Sequence, residues 1–108
     1  MQSIIKNLGM VDGDVSSLNS KSDYAYVGGV VGRNYGTIKN CYNTGSVSSS
    51  KDAGGIAGSN YGIIENCYNT GGVSSDYYAG GIAGWDNEGT ISNCYNTGDV
   101  SSSFNNTY

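Results

Sequence analysis

The sequence predicts an all-β chain wound as a parallel β-solenoid (β-helix), and three observations carry that prediction. A Gly-Gly pair recurs at Gly28-Gly29, Gly54-Gly55 and Gly80-Gly81, a period of 26 residues. Cysteine recurs at Cys41, Cys67 and Cys94, 26 and then 27 residues apart. Glycine, serine and asparagine supply 47 of the 108 residues and proline none, yet 10 tyrosines and a net charge of only −4 set the chain apart from a disordered low-complexity segment. A fixed period of this length marks a stacked repeat, in which each unit buries its apolar face against the next.

Each copy reads as short strands punctuated by turns. It opens with Gly-Gly, an aliphatic pair and a further Gly, passes an Asn- and Gly-bearing turn, and reaches an isoleucine two residues later. The six-residue block Asn40 to Gly45 then returns letter for letter at Asn66 to Gly71 and Asn93 to Gly98. Glycine costs about 1 kcal/mol relative to alanine inside a helix, so its fixed recurrence argues for strands joined by turns. The chain is expected to be one domain, residues 1–108, with coils of about 26 residues starting near 28, 54 and 80. A half coil over 4–17 precedes these three full coils, because Ile5-Lys6-Asn7-Leu8 parallels Ile38-Lys39-Asn40-Cys41 and Asp14-Val15-Ser16-Ser17 parallels Ser46-Val47-Ser48-Ser49. The single extra residue of the third copy falls in the turn from Gly84 to Gly89, where a loop can lengthen without moving the core.

Stacking at about 4.8 Å per coil turns every repeated position into a column. The expected core columns are Val30/Ile56/Ile82, Ile38/Ile64/Ile91, Cys41/Cys67/Cys94 and Val47/Val73/Val100, with Ile5, Leu8 and Val15 extending three of them. Isoleucine and cysteine lie three residues apart, so simple alternation cannot turn both inward. A bend at Asn40, Asn66 and Asn93 must reset the pleat, and those amides are expected to bond equivalent amides or turn backbone in adjacent coils. Gly32, Gly58 and Gly84 serve either positive φ or close backbone approach. Tyr42, Tyr68 and Tyr95 neighbour the inward cysteines and so face outward as an aromatic column. Tyr24, Tyr26, Tyr77, Tyr78 and Trp85 break the repeat and are placed in connecting segments.

The residue types present exclude most chemistry. Histidine is absent, so the commonest general base is missing, and with 5 Lys and Arg against 9 Asp and Glu no basic stripe exists to hold a nucleic acid. The cysteine spacing matches no Cys-x-x-Cys pair, and equivalent cysteines in one stack point the same way at a separation longer than the roughly 3.8 Å between disulfide-bonded Cβ atoms. Reduced core thiols are expected. The acids, including the close pairs Asp12/Asp14 and Asp86/Glu88, form no calcium-loop pattern and read as solvated turns. No cofactor or metal is implied. Apolar runs of only a few residues cannot cross a hydrocarbon layer of about 30 Å, so no membrane insertion is expected. Met1 to Lys6 lacks the basic region, long apolar stretch and cleavage site of a secretory signal.

The run Gly54-Gly55-Ile56-Ala57-Gly58, then Gly62, Ile64 and Asn66-Cys67-Tyr68-Asn69-Thr70-Gly71 followed by Val73, resembles the GLUG repeat of bacterial surface proteins. The resemblance implies an extracellular or cell-surface setting, among large adhesins and the non-catalytic parts of IgA-specific metallo-endopeptidases. The catalytic zinc motif of those peptidases needs histidine, so no catalysis carries over.

Three functions follow in order of expectation. The first is a non-enzymatic structural or adhesive repeat module, its partners being copies of itself or neighbouring repeats stacked end to end into a filament. The second is a glycan- or host-protein-binding module that uses exposed aromatics, with Tyr42, Tyr68, Tyr95, Trp85, Tyr77 and Tyr78 as candidate site residues. The third, an enzyme of the pectin-lyase-like type, would need a cluster of acidic and basic groups on one face, where only Arg33, Lys39, Lys51 and Glu65 are available.

Overall fold

A computed structural model describes residues 4–10, 13–17, 26–85, 88–104 and 106–107, and every described strand pair in it is parallel. The half coil holds β1 (Ile4–Lys6), β2 (Gly9–Met10) and β3 (Asp14–Ser17). The first full coil follows as β4 (Tyr26–Gly28), β5 (Val31–Asn34), β6 (Thr37–Lys39), β7 (Tyr42–Asn43) and β8 (Ser46–Ser49). The second is β9 (Asp52–Gly54), β10 (Ala57–Asn60), β11 (Ile63–Glu65), β12 (Tyr68–Asn69) and β13 (Val73–Ser75). The third is β14 (Tyr78–Gly80), β15 (Ala83–Trp85), β16 (Thr90–Ser92), β17 (Tyr95–Asn96) and β18 (Val100–Ser102), after which β19 (Asn106–Thr107) returns onto β14.

Five strand positions per coil therefore build five parallel sheets. Position one stacks β4, β9, β14 and β19; position two stacks β5, β10 and β15. Positions three, four and five each gain a fourth strand from the half coil, in the orders β1-β6-β11-β16, β2-β7-β12-β17 and β3-β8-β13-β18. The letter columns are the physical register: Ile5 pairs Ile38, Ile64 pairs Ile38 and Ile91, and Val73 pairs Val47 and Val100. The inserted residue is also where the turn reading put it, since Ala83 still pairs Ala57 while Thr90 pairs Ile63.

The bend between positions three and four is a single left-handed residue. Asn7, Asn40, Asn66 and Asn93 adopt φ of 60°, 56°, 55° and 52°. Asparagine enters this region more readily than other residues bearing a Cβ, and one such residue reverses the alternation so that Ile38 and Cys41 both turn inward. The amides of the bend are exposed, however, and do not form the expected ladder. Ladders run instead through the columns of Asn34 and of Asn43, whose side chains point into the coil.

No described glycine has positive φ, so close approach is the reason for glycine at positions one and two. These two strands fold back on each other around Gly55-Ile56: a Cβ on Gly54 would be driven into the carbonyl of Ala57, and one on Gly58 would lie 2.7 Å from the amide nitrogen of Val27. The repeated Gly-Gly-aliphatic-aliphatic-Gly run is thus the signature of two sheets in backbone contact.

Packing divides the interior into two small apolar clusters. One joins Ile38, Cys41, Ile56, Ala57, Ile64 and Cys67, with Ile5, Val30, Ile82, Ile91 and Cys94 partly buried at its ends. The other joins Val27, Val47, Ala53, Val73 and Ala79, with Val100 partly buried. Leu8 keeps its place in the cysteine column, its carbonyl accepting the Tyr42 N–H at 2.9 Å, but it is 39% exposed and so is not core. Burial in a solenoid needs a coil on both sides, and among the described residues Leu8 has one on only one side.

Buried amides complete the interior. Asn43 and Asn69 are 1% and 0% exposed. The Nδ2 of Asn43 donates to Asn69 Oδ1 at 2.8 Å and to its own turn at Gly45 O at 2.8 Å. Asn69 repeats this toward Asn96 Oδ1 at 2.8 Å and Gly71 O at 2.9 Å. A second rung of the same kind links Asn34 Nδ2 to Asn60 Oδ1 at 2.8 Å. Each such bond nets only about 1 kcal/mol, but a buried amide left without a partner costs about 1–3 kcal/mol, which makes the coil-to-coil register all-or-none.

Candidate functional site

The tyrosine column stands on position four, facing away from the cysteines. Tyr42, Tyr68 and Tyr95 are stacked with ring centroids 5.1 Å apart and planes within 5° at both steps. The stacking follows from the parallel register, which repeats one rotamer at the coil spacing. It also covers both faces of the middle ring, so the strip presents ring edges and hydroxyls; the outer face of Tyr95, 55% exposed, is turned toward the end of the stack.

The other candidates do not sit where the broken letter pattern placed them. Tyr26 and Tyr78 are strand residues of β4 and β14 in register with Asp52, and Trp85 is a strand residue of β15 in register with Ser59. They read as connecting segments because their columns change residue type from coil to coil, whereas hydrogen-bond register does not. Tyr24 lies outside the described residues, as do Asp12, Asp23 and Asp86. Tyr78 and Trp85 stack at 4.0 Å with planes 22° apart. Tyr77, in the bend before β14, packs on Phe104 at 4.9 Å under the Lys51 ammonium, 4.1 Å from its ring. Of the six candidates, then, three form one column, two form a pair, and Tyr77 belongs to a separate corner.

Trp85 and Tyr95 both stand on the third coil. A cavity of about 650 Å³ opens there, lined by Ile82, Trp85, Ile91, Cys94, Tyr95 and Asn96 among others. Its lining brings the last members of the core and amide columns together with the two aromatics.

One cluster escaped the letter pattern. The Arg33 guanidinium lies 4.8 Å from the Tyr26 ring centroid, 5.5 Å from Tyr35 and 5.7 Å from Tyr61, while Tyr35 and Tyr61 stack at 5.1 Å. A hydrogen bond with Tyr61 is the leading reason that its pKa is raised, and it stays cationic at every working pH. The 26-residue spacing of Tyr35 and Tyr61 was the available signal.

Three basic residues are engaged, Arg33 and Lys51 with rings and Lys39 with a carboxylate. Lys39 Nζ lies 3.1 Å from Glu65 Oε1 between neighbouring coils, both half-exposed. Cysteine thiols donate to carbonyls of their own corner, Cys41 to Lys39 O at 3.3 Å, Cys67 to Glu65 O at 3.3 Å and Cys94 to Ser92 O at 3.2 Å. Burial pushes the Cys67 thiol up to about 11, so it is protonated and a poor nucleophile at neutral pH. All three cysteines are free, and among the described residues no group of three His, Cys, Asp or Glu could hold a metal ion. This arrangement can bind by shape and stacking.

Fold and surface together define a parallel β-solenoid repeat module whose repeated side chains meet their own copies. The chain belongs to the GLUG motif family: the family model matches three times, over residues 23–48, 49–74 and 75–101. Each match spans one full coil, and the half coil lies outside them. No curated protein and no solved structure matches the chain.

Proposed function

We propose that the chain is a non-enzymatic, extracellular structural module of a bacterial surface protein, a stiff stack that spaces or displays adhesive parts. The observation that carries this reading is the destination of the repeated side chains. Isoleucine, cysteine, asparagine and tyrosine columns are all engaged coil to coil. A sequence that repeats in order to recognise a ligand would leave the repeated groups free on one face. Occurrence of GLUG repeats in secreted and surface proteins supports the location.

A second reading, binding of a glycan or a host protein, is favoured by one observation: Trp85 and Tyr95 line the same cavity. A glycan and matrix-protein array with the purified chain separates the two. The structural reading expects no saturable binding. Saturable signal that disappears in Trp85→Ala and weakens in Tyr68→Ala would replace it with the binding reading.

A further inference from the structure

Building on the structural-module reading, we propose that the two ends of the stack are complementary and that a second copy of the chain docks head to tail, its half coil seated on the third coil. The strand positions argue this first. Beyond the third coil, β16, β17 and β18 have no neighbour among the described residues, and β1, β2 and β3 are strands of those same three positions. Position one of the next coil is already held by β19. The half coil of one copy and β19 of the other therefore compose a single coil, with β4 of the second copy falling on β19. Only position two, above β15, lacks a strand.

The columns agree. Ile5 of the second copy falls in the column of Ile91, and Val15 in that of Val100. Both ends expose members of one apolar column set, Leu8 at 39% on one side and half-buried Ile91 and Cys94 on the other.

Gly13 supplies an independent observation. In its column, a Cβ on Gly45, Gly71 or Gly98 would be driven into the carbonyl oxygen of the coil beneath: Gly13, Gly45 and Gly71 respectively. Those three positions admit only glycine because a coil lies under them. A Cβ on Gly13 meets nothing within 4 Å. Head-to-tail docking puts the carbonyl of Gly98 beneath Gly13 and gives this residue the same steric reason as the rest of its column.

The joint is weaker than an internal step at one point. Asn43 and Asn69 each donate to the next coil's asparagine, whereas Asn96 donates to Gly98 O at 3.0 Å and would meet Met10 of the second copy, a poor acceptor.

Light scattering, melting curves and negative-stain microscopy over a concentration series test the joint with three chains. The wild type is expected to grow into open-ended oligomers with an axial repeat of about 19 Å, four coil steps of about 4.8 Å. Gly13→Ala is expected to melt like the wild type and stay monomeric. Met10→Asn restores the amide ladder across the joint and is expected to tighten association by about two- to tenfold. A closed dimer of fixed size, or a Gly13→Ala chain that assembles like the wild type, overturns the joint. So does a wild type that stays monomeric, although a sharp melt would leave the module reading standing; conversely, array binding lost in Trp85→Ala overturns the module reading even where head-to-tail growth is seen.

Discussion

The second and third coils carry nearly the same letters and live in different environments. Ile64 and Cys67 are 0% and 1% exposed, whereas Ile91 and Cys94 in the same columns are only half-buried. Asn69 is fully buried between two asparagines, while Asn96 is exposed with one. What differs is the number of neighbours: the second coil is covered on both sides and the third, over positions two to five, on one. In a stack of identical units, burial and its free energy belong to the interface between coils, so the contribution of a residue depends on its distance from an end.

The sharpest way to break the comparison is through the glycines of the covered coil. Gly71 and Gly72 are adjacent, yet a Cβ on Gly71 would enter the carbonyl of Gly45 while one on Gly72 finds its nearest contact 3.9 Å away, at Asp99 O. Gly71→Ala is expected to destabilise by more than about 3 kcal/mol or to abolish folding, since backbone must move. Gly72→Ala is expected to be neutral or to stabilise by up to about 1 kcal/mol by restricting the unfolded chain. Urea melts of the two variants, followed by far-UV circular dichroism, decide it; equal effects would refute the stacked register.

A smaller contrast comes from truncating one core column at two heights. Ile64→Ala is expected to cost about 2–5 kcal/mol, as for a fully buried aliphatic side chain. Ile91→Ala should cost less than half as much, because part of its surface is already in water. Similar midpoint shifts for the two would mean that the third coil is covered in solution, which is also what end-to-end docking brings about at high concentration.

The mildest contrast is chemical. With its pKa raised by burial above the ordinary value of 9.0 to about 11, the Cys67 thiol stays neutral in the fold after the unfolded chain would have ionised. Its contribution to stability is therefore complete below about pH 9 and is lost as pH rises from 9 toward 11. Timed alkylation followed by peptide mapping should label half-buried Cys94 first and Cys41 and Cys67 only as the chain opens. Melting midpoints should fall across that alkaline window and level off above it.

Much of this architecture was legible in the letters. The period gave the coil, the columns gave the larger core side chains but not the buried Val27, Ala53, Ala57 and Ala79, and the three-residue gap between Ile38 and Cys41 demanded the bend that Asn40 makes at φ 56°. Two features were not legible. The inward turn of Asn43 depends on the bend three residues earlier, and a polar side chain there reads as surface until that reversal is known. Tyr26, Asp52 and Tyr78 form one register column in which an acid interrupts two tyrosines, so comparing adjacent copies did not align them; backbone hydrogen bonds do. The candidate site was read in part. The tyrosine column was visible as a repeat, but that Trp85 and Tyr95 line one cavity needed the winding of the chain.

The winding also sets how the molecule responds to tension. Each coil takes up 26 or 27 residues for a single axial step of about 4.8 Å. A coil peeled from an end under load would release about 90 Å of extended chain, at roughly 3.4 Å per residue. Under axial load each detached coil would thus span nearly twenty times its stacked length, so a sudden pull would be taken up as added slack before the coils still stacked felt it.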